Sequence, residues 1–120
     1  NIYVTDLGNH RVQKFDANGA FLTSWGSVGI GAGQMSVPSA IAVDELGSVY
    51  VGEIENRRIQ KFGASGESLG TWKVPMYLGD SGVVDTDDFA APRGIAVDQW
   101  GTIYLTDSGN RVHIITQQQF

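Results

Sequence analysis

The sequence contains no cysteine, no long apolar run and no excess of positive charge. Without cysteine among its 120 residues, the chain cannot form disulfides or thiolate centres for metals or redox chemistry. No apolar stretch approaches the about 20 residues that a transmembrane helix needs, so we expect no membrane partner. Thirteen acidic against eight basic side chains give a net charge of −5. That balance lacks the basic footprint of nucleic-acid binding, so no nucleic-acid partner is expected, and the compartment stays undetermined.

What the sequence does contain is enough apolar surface to fold. Apolar residues make up 42% and charged residues 18% of the chain, a balance typical of folded rather than disordered proteins. The length predicts one domain. The chain starts at Asn1, directly in a run typical of a strand, so we expect it to be a processed product or part of a longer protein.

Internal repetition dominates the sequence. Residues 2–15 and 49–62 are half identical without a gap, and residues 37–51 match 91–105 in the same way. The third copy continues as TDSGNRVHIIT, which aligns with TDLGNHRVQKF if one residue is missing after Asn110. Repeats of 40 to 50 residues are typical of propellers and solenoids.

Each repeat predicts four short antiparallel strands. An I-A-V-D run alternates at period 2 and ends in a D-x-x-G turn, at Gly47 or Gly101, where glycine accepts positive φ. The second strands are Ile2–Thr5, Val49–Gly52 and Ile103–Thr106, the third strands are RVQKF, RIQKF and RVHII, and the fourth strands are Phe21–Trp25 and Ser68–Lys73. No helical period is present.

This pattern predicts an all-β fold of propeller blades, each a four-stranded antiparallel sheet. The alanine inside each I-A-V-D run fits an innermost strand, because those strands converge on the central channel. A β-sandwich with coincidental repeats is the structural alternative.

The run P-x-G-I-A-V-D-x-x-G-x-I-Y-x-x-D-x-G-N-x-R-V-x-x-F resembles the NHL repeat. It is met from Pro92 to Val112 and from Pro38 to Phe62, and the resemblance covers the chain except residues 73–89. The resemblance implies a propeller, usually of six blades, that presents loops to binding partners. A minority of similar propellers are enzymes, including lyases and lactonases.

The strands of one chain do not complete a ring. With strands lettered a to d from the axis outward, blade 1 has strands b–d in 1–35, and blade 2 is complete in 36–73, followed by an inserted loop at 74–89. Blade 3 has strands a–c in 90–120. Bare blade faces exceed the apolar patch that a soluble monomer tolerates, so we predict a homodimer that completes about six blades head to tail.

Features present in every copy are expected to be structural. An acid, an asparagine and an arginine recur around the connection from strand b to strand c, the acids being Asp6, Glu53 and Asp107. We interpret this set as a local hydrogen-bond and ion-pair network. The alternative is a ring of carboxylates that holds a cation at the channel mouth.

Features that differ between copies are the candidates for binding. The b–c and d–a connections share one end of the propeller, and the d–a insertion carries the apolar Met76 and Tyr77, which we expect to bind a ligand. It also carries four acids, the weak candidates for a Ca²⁺ site: Asp80, Asp85, Asp87 and Asp88. They lack the spacing of a calcium loop, so no cofactor is predicted. The Gly29–Gly33 run is interpreted as a flexible connection.

Three further residues are ligand-binding candidates. His10 and Arg57 occupy the same divergent position on the end that carries the insertion, and His10 is the one credible, though weak, catalytic acid or base. Trp100 replaces Leu46 in an a–b hairpin at the other end, as an anchor for a partner or a lid over the channel floor. His113 lies mid-strand and is interpreted as packing.

The function predicted is a non-catalytic binding or scaffold module whose loops recognise a protein, peptide or glycan. One alternative is an enzyme similar to propeller lyases or lactonases, with a metal or His10 at the channel mouth. The other is that the chain is a fragment of a larger propeller whose site lies in other blades.

Overall fold

The computed structural model describes residues 1–73, 91–108 and 111–119. Within these ranges the chain forms ten strands in three antiparallel sheets of three, four and three strands. The strands are β1 Ile2–Asp6, β2 Arg11–Phe15, β3 Phe21–Trp25, β4 Pro38–Val43, β5 Val49–Glu53, β6 Arg58–Phe62, β7 Ser68–Lys73, β8 Pro92–Val97, β9 Ile103–Asp107 and β10 Val112–Ile115. Short 3₁₀ turns in the described residues lie at Leu7–Asn9 and Gln117–Gln119. In the described residues no helix is long and apolar enough to span a membrane.

The sheets are the blades that the repeats predict. Blade 1 is β1-β2-β3, blade 2 is β4-β5-β6-β7 and blade 3 is β8-β9-β10, each in chain order. Each sheet is a meander; blades 2 and 3 begin with the a strands β4 and β8, whereas the described part of blade 1 begins with its b strand, β1. The predicted fold class, an all-β set of propeller blades that does not close within one chain, is confirmed.

The D-x-x-G turns close the hairpins through one repeated geometry. The Asp44 carboxylate accepts the amides of Leu46 and Ser48 at 3.0 and 2.9 Å, and Gly47 has φ of 85°. At Asp98 the distances to the amides of Trp100 and Thr102 are both 2.9 Å. Because the turn is held by its aspartate and glycine, the two residues between them are free to vary.

The inner strands of blades 2 and 3 lie side by side, at a place that admits only small residues. A Cβ added to Gly52 of β5 would lie 3.0 Å from Pro92 of β8 and 3.4 Å from Ala40 of β4. Gly52 and Ala40 are therefore required to be small by this convergence, whereas the alanines predicted for the same reason, Ala42 and Ala96, are half-buried and exposed.

Each pair of neighbouring blades encloses its own apolar core. Between blades 1 and 2 the fully buried residues are Val12, Met35, Val49, Val51 and Phe62, with Tyr3 and Trp25 against them. Between blades 2 and 3 they are Tyr50, Ile59, Ile103, Leu105 and Ile115, with Trp72 against them. Trp25 contacts Phe62 of the next blade at a ring distance of 5.8 Å, so the tryptophans of the fourth strands, Trp25 and Trp72, pack against the cores between blades.

Candidate functional site

The repeated acid, asparagine and arginine form a closed network in blade 2. The fully buried Glu53 carboxylate accepts Asn56 Nδ2 and Arg58 Nε, both at 2.8 Å, and Gln60 Nε2 at 2.9 Å. It also accepts the backbone amide of Ser36 at 3.1 Å. Every donor comes from this blade or from the connection that leads into it, so this carboxylate stabilises the local fold.

Blade 1 repeats the network nearer to solvent. The Asp6 carboxylate accepts Asn9 Nδ2 at 3.0 Å, Arg11 Nε at 2.9 Å and Gln13 Nε2 at 3.1 Å. These bonds, first that from Asn9 and then that from Arg11, lower the pKa of Asp6. The Arg11 side chain is 41% exposed, whereas that of Arg58 is 9% exposed.

In blade 3 a histidine takes the place of the glutamine. His113 Nε2 lies 2.6 Å from the Asp107 carboxylate, and its ring packs edge-on against Trp72 at 5.7 Å. The expected packing role of His113 is therefore correct, and the ring has a polar partner that the sequence analysis did not name. In blades 1 and 2 the interpretation as a local structural network holds; in blade 3 Asp107 keeps an ion pair with Arg111 at 4.0 Å, while Asn110 lies outside the described residues. Within the described ranges no three His, Cys, Asp or Glu side chains cluster as metal ligands.

The glycine-rich connection before blade 2 is held in place, contrary to its interpretation as a flexible segment. The Arg58 guanidinium donates to the carbonyls of Ile30 at 2.7 Å, Gly31 at 3.2 Å and Gln34 at 2.8 Å. The planar fork of arginine suits this simultaneous donation. Asn56 adds a bond to the Gly29 carbonyl at 2.9 Å. The d–a connection and the b–c connection therefore lie together at one end of the blade, as predicted.

His10 lies at the joint between blades 1 and 2. It has a left-handed φ of 52°, and its Nδ1 accepts the backbone amide of Val37 at 3.1 Å. One ring nitrogen is therefore engaged in holding the d–a connection. Arg57 has the matching φ of 49°.

The insertion lies outside the described residues. The candidates that it carries are Met76, Tyr77, Asp80, Asp85, Asp87 and Asp88.

Among the sequence-predicted binding residues that the structure describes, Trp100 lines a cavity. The cavity, about 270 Å³ in volume, lies between the β4–β5 and β8–β9 hairpins. It is lined by Asp44, Glu45, Leu46, Lys61, Gln99, Trp100, Gly101 and Gln117. We call this feature the hairpin groove.

A second cavity, of about 220 Å³, lies at the opposite ends of the same inner strands. It is lined by Ser39, Ile54, Ala91, Pro92 and Arg93. Sequence reasoning missed Ser39 and Arg93, although they occupy one repeat position and differ between copies. That divergence was the available signal.

Comparison with known proteins supports the fold. No protein-family model and no curated protein matches the sequence. Among solved structures, a streptogramin B lyase matches with a TM-score of 0.70 and 18% identity over 98% of this chain. Virginiamycin B lyase from Staphylococcus aureus matches at 0.69 and 17% over 98%, and a luciferin-regenerating enzyme at 0.60 and 18% over 98%. The chain spans 34%, 35% and 36% of these structures respectively.

These similar structures are β-propeller proteins, and at this identity the likeness concerns the fold alone. The chain is thus a β-propeller segment. The narrower resemblance to the NHL repeat stays a prediction.

Proposed function

We propose that this propeller segment is a non-catalytic binding module that closes its ring with a second copy of itself, head to tail, and presents its loops to a protein, peptide or glycan. The observation that carries the proposal is the match between the two outer faces of the segment. Equivalent residues on those faces are buried, fully or in part, where a neighbouring blade covers them.

The first of these faces belongs to blade 1 and points away from blade 2. Ile2 and Val4 on this face are 49% and 42% exposed. Their repeat equivalents are Val49 and Val51 in blade 2 and Ile103 and Leu105 in blade 3, and all four are fully buried. Blade 1 therefore carries the surface that the other blades bury against a preceding blade.

The second face belongs to blade 3 and points away from blade 2. Tyr104 and Val112 are 41% and 66% exposed. The equivalent Tyr50 and Ile59 in blade 2 are fully buried against blade 3, and Val12 in blade 1 is fully buried against blade 2. Blade 3 therefore carries the surface that the other blades bury against a following blade.

The outer face of blade 1 fits the outer face of blade 3, since the equivalent faces of neighbouring blades pack together twice within the chain. Two copies placed head to tail satisfy both faces of each copy and close on themselves. Leaving both faces in water exposes large aliphatic side chains in two contiguous patches, which soluble monomers rarely do.

The test is the mass of the purified 120-residue chain by light scattering. We expect twice the mass of one chain over a wide concentration range. A folded monomer overturns self-closure and indicates that further blades of a longer chain cover these faces. An open series of growing oligomers also contradicts the closed dimer.

A second candidate function is catalysis of the lyase or lactonase kind at the channel mouth. One observation favours it, namely that the similar solved structures carry the names of a virginiamycin B lyase and a luciferin-regenerating enzyme. His10 is the residue to test, through His10→Asn, because asparagine accepts left-handed φ and retains an acceptor for the Val37 amide. Incubating the chain with virginiamycin B, followed by chromatography, gives no conversion if the binding proposal holds. Conversion that His10→Asn abolishes establishes the enzyme instead.

A further inference from the structure

The hairpin groove is walled by two large apolar side chains that stand in solvent. Leu46 is 91% exposed and Trp100 is 78% exposed, and both occupy the variable position of a D-x-x-G turn. The turn geometry does not require either of them, because the aspartate and glycine alone close it. A tryptophan so exposed beside a cavity is typical of a binding residue.

The charges that line the groove favour a cation. The Glu45 carboxylate forms no hydrogen bond or ion pair within the part of the chain that the structure describes, and Asp44 adds a second negative charge. Lys61 is the lining cation, but its ammonium donates to Gln117 Oε1 at 2.7 Å and lies 5.7 Å from the Tyr50 ring centre. The groove therefore offers a free carboxylate and an open indole, while its own cation is already engaged. The chain's net charge of −5 acts in the same direction.

We propose that the hairpin groove binds an arginine or lysine side chain of a protein or peptide partner. The cation stacks on the Trp100 indole, the best of the aromatic rings for this interaction, and pairs with the Glu45 carboxylate. Leu46 packs against the aliphatic stem of the bound side chain. This inference rests on the proposed binding function and gives its partner class, but it needs only one chain, so it does not depend on ring closure.

The repeat supplies matched variants for the test. The two hairpins read Asp-Glu-Leu-Gly and Asp-Gln-Trp-Gly, and their glycines have φ of 85° and 82°. Trp100→Leu and Glu45→Gln each place in one hairpin the residue that the other already carries, so both variants keep the turn. Gln99→Glu adds a carboxylate in the same way. Leu7→Ala, in the b–c connection of blade 1, is a control far from the groove.

The probe is a short peptide of alternating arginine and glycine, titrated into the ¹⁵N-labelled chain. Its matched control replaces each arginine by citrulline, which has nearly the same shape and no charge. We expect the arginine peptide to shift the Trp100 indole N–H signal, which is assigned by its loss in Trp100→Leu. We expect Trp100→Leu, read from neighbouring amides, to weaken binding about fivefold, and Glu45→Gln to weaken it about threefold at low salt. Gln99→Glu strengthens binding, and Leu7→Ala leaves it unchanged.

Three outcomes overturn the proposal. Equal binding of the citrulline peptide shows that charge is not recognised. Shifts of the Trp100 signal by a neutral oligosaccharide, without shifts by the arginine peptide, assign the groove to a glycan. The absence of any shift by the arginine peptide shows that the groove does not bind cations. Failure of ring closure, in contrast, is read from the mass of the chain and leaves these titrations interpretable.

Discussion

At the scale of the residue, one network is built three times but buried to different depths. Glu53 is fully buried with Arg58 as its ion-pair partner, whereas Asp6 pairs with a half-exposed Arg11. Removing one partner of a buried pair leaves a buried charge without compensation, which costs far more than the loss of a pair near solvent. The same substitution is therefore expected to have unequal effects in blades 1 and 2.

The first prediction compares Glu53→Gln with Asp6→Asn. Glu53→Gln is expected to lower the free energy of unfolding by about 3–5 kcal/mol, because Arg58 loses its counter-charge while still buried. Asp6→Asn is expected to cause a much smaller loss. Urea denaturation at one protein concentration measures both changes. Equal losses contradict the argument from burial.

The second prediction concerns Tyr50 at alkaline pH. Burial, and next the hydrogen bond that its hydroxyl donates to Asp44 at 2.9 Å, raise the pKa of Tyr50 to about 12. The unfolded chain ionises this group near its ordinary pKa of about 10, so unfolding releases a proton between these values. The stability that neutral Tyr50 contributes is therefore fully present below pH 10 and is lost as the pH rises from 10 to about 12.

Tyr50→Phe is the matched variant for this titration. The difference in free energy of unfolding between the wild type and the variant is expected to shrink above pH 10, since only the wild type has the group. Denaturation series at increasing pH measure the difference. A constant difference over that range shows that burial of Tyr50 does not control its ionisation.

At the scale of the element, the connections between strands have conformations as well defined as those of the strands. Gly26 begins the d–a connection with φ of 113°, and a Cβ there would lie 2.5 Å from Met35 Cε and 2.8 Å from the His10 carbonyl oxygen. Gly19, in the β2–β3 hairpin, has φ of 85° with nothing within 4 Å of an added Cβ. The two glycines share the requirement for positive φ and differ in the space around them.

The third prediction uses this pair. Gly19→Ala is expected to cost about 1–2 kcal/mol, from backbone conformation alone. Gly26→Ala is expected to cost about 1–3 kcal/mol more, since the new methyl also displaces a core methionine. Denaturant midpoints with unchanged slopes measure both. If Gly26→Ala costs no more than Gly19→Ala, the connection has more room than the structure gives it.

The sequence predicts the strands well because two signals indicate the same strand positions: the alternation of apolar residues at period 2 and the threefold repeat. The predicted Phe21–Trp25 and Ser68–Lys73 are the observed β3 and β7. The hydrogen bonds that hold the d–a connection in place were not predictable in this way. Arg58 donates to the backbone carbonyls of residues 30, 31 and 34. Every residue has such a carbonyl, so the amino-acid sequence does not indicate which carbonyls Arg58 binds. His113 was placed correctly in packing, and its alignment with Gln13 and Gln60 carried the signal for its bond to Asp107, since those glutamines bond the equivalent acids.

Of the hairpin groove, the sequence predicts only the residues that differ between copies inside the repeated D-x-x-G turns. Trp100 stands out because Leu46 occupies the same slot, and this comparison needs no structure. That the groove also holds Lys61 and Gln117 depends on the packing of blade 3 against blade 2. Residues that meet across two blades share no spacing in the sequence that identifies their contact.

At the scale of the whole molecule, the two outer faces differ, so head-to-tail closure is distinguishable from a dimer that joins two copies of the same face. Val112 is the equivalent of Ile59, and Val4 is the equivalent of Leu105. Since Ile59 and Leu105 belong to one buried cluster, Val112 of one copy is expected to meet Val4 of the other. A head-to-tail dimer contains this contact twice, with each copy supplying each side once.

The fourth prediction places opposite charges on these two positions. Val112→Glu alone and Val4→Lys alone are each expected to give monomers, because each variant buries an unpaired charge at both contacts. Mixing the two variants is expected to restore a dimer, because one contact is then wild type and the other pairs a glutamate with a lysine. Light scattering of each variant and of the mixture measures the mass. A dimer joined face to face through blade 3 instead loses association in Val112→Glu, keeps it in Val4→Lys and gains nothing on mixing, so one set of three masses decides between the two arrangements.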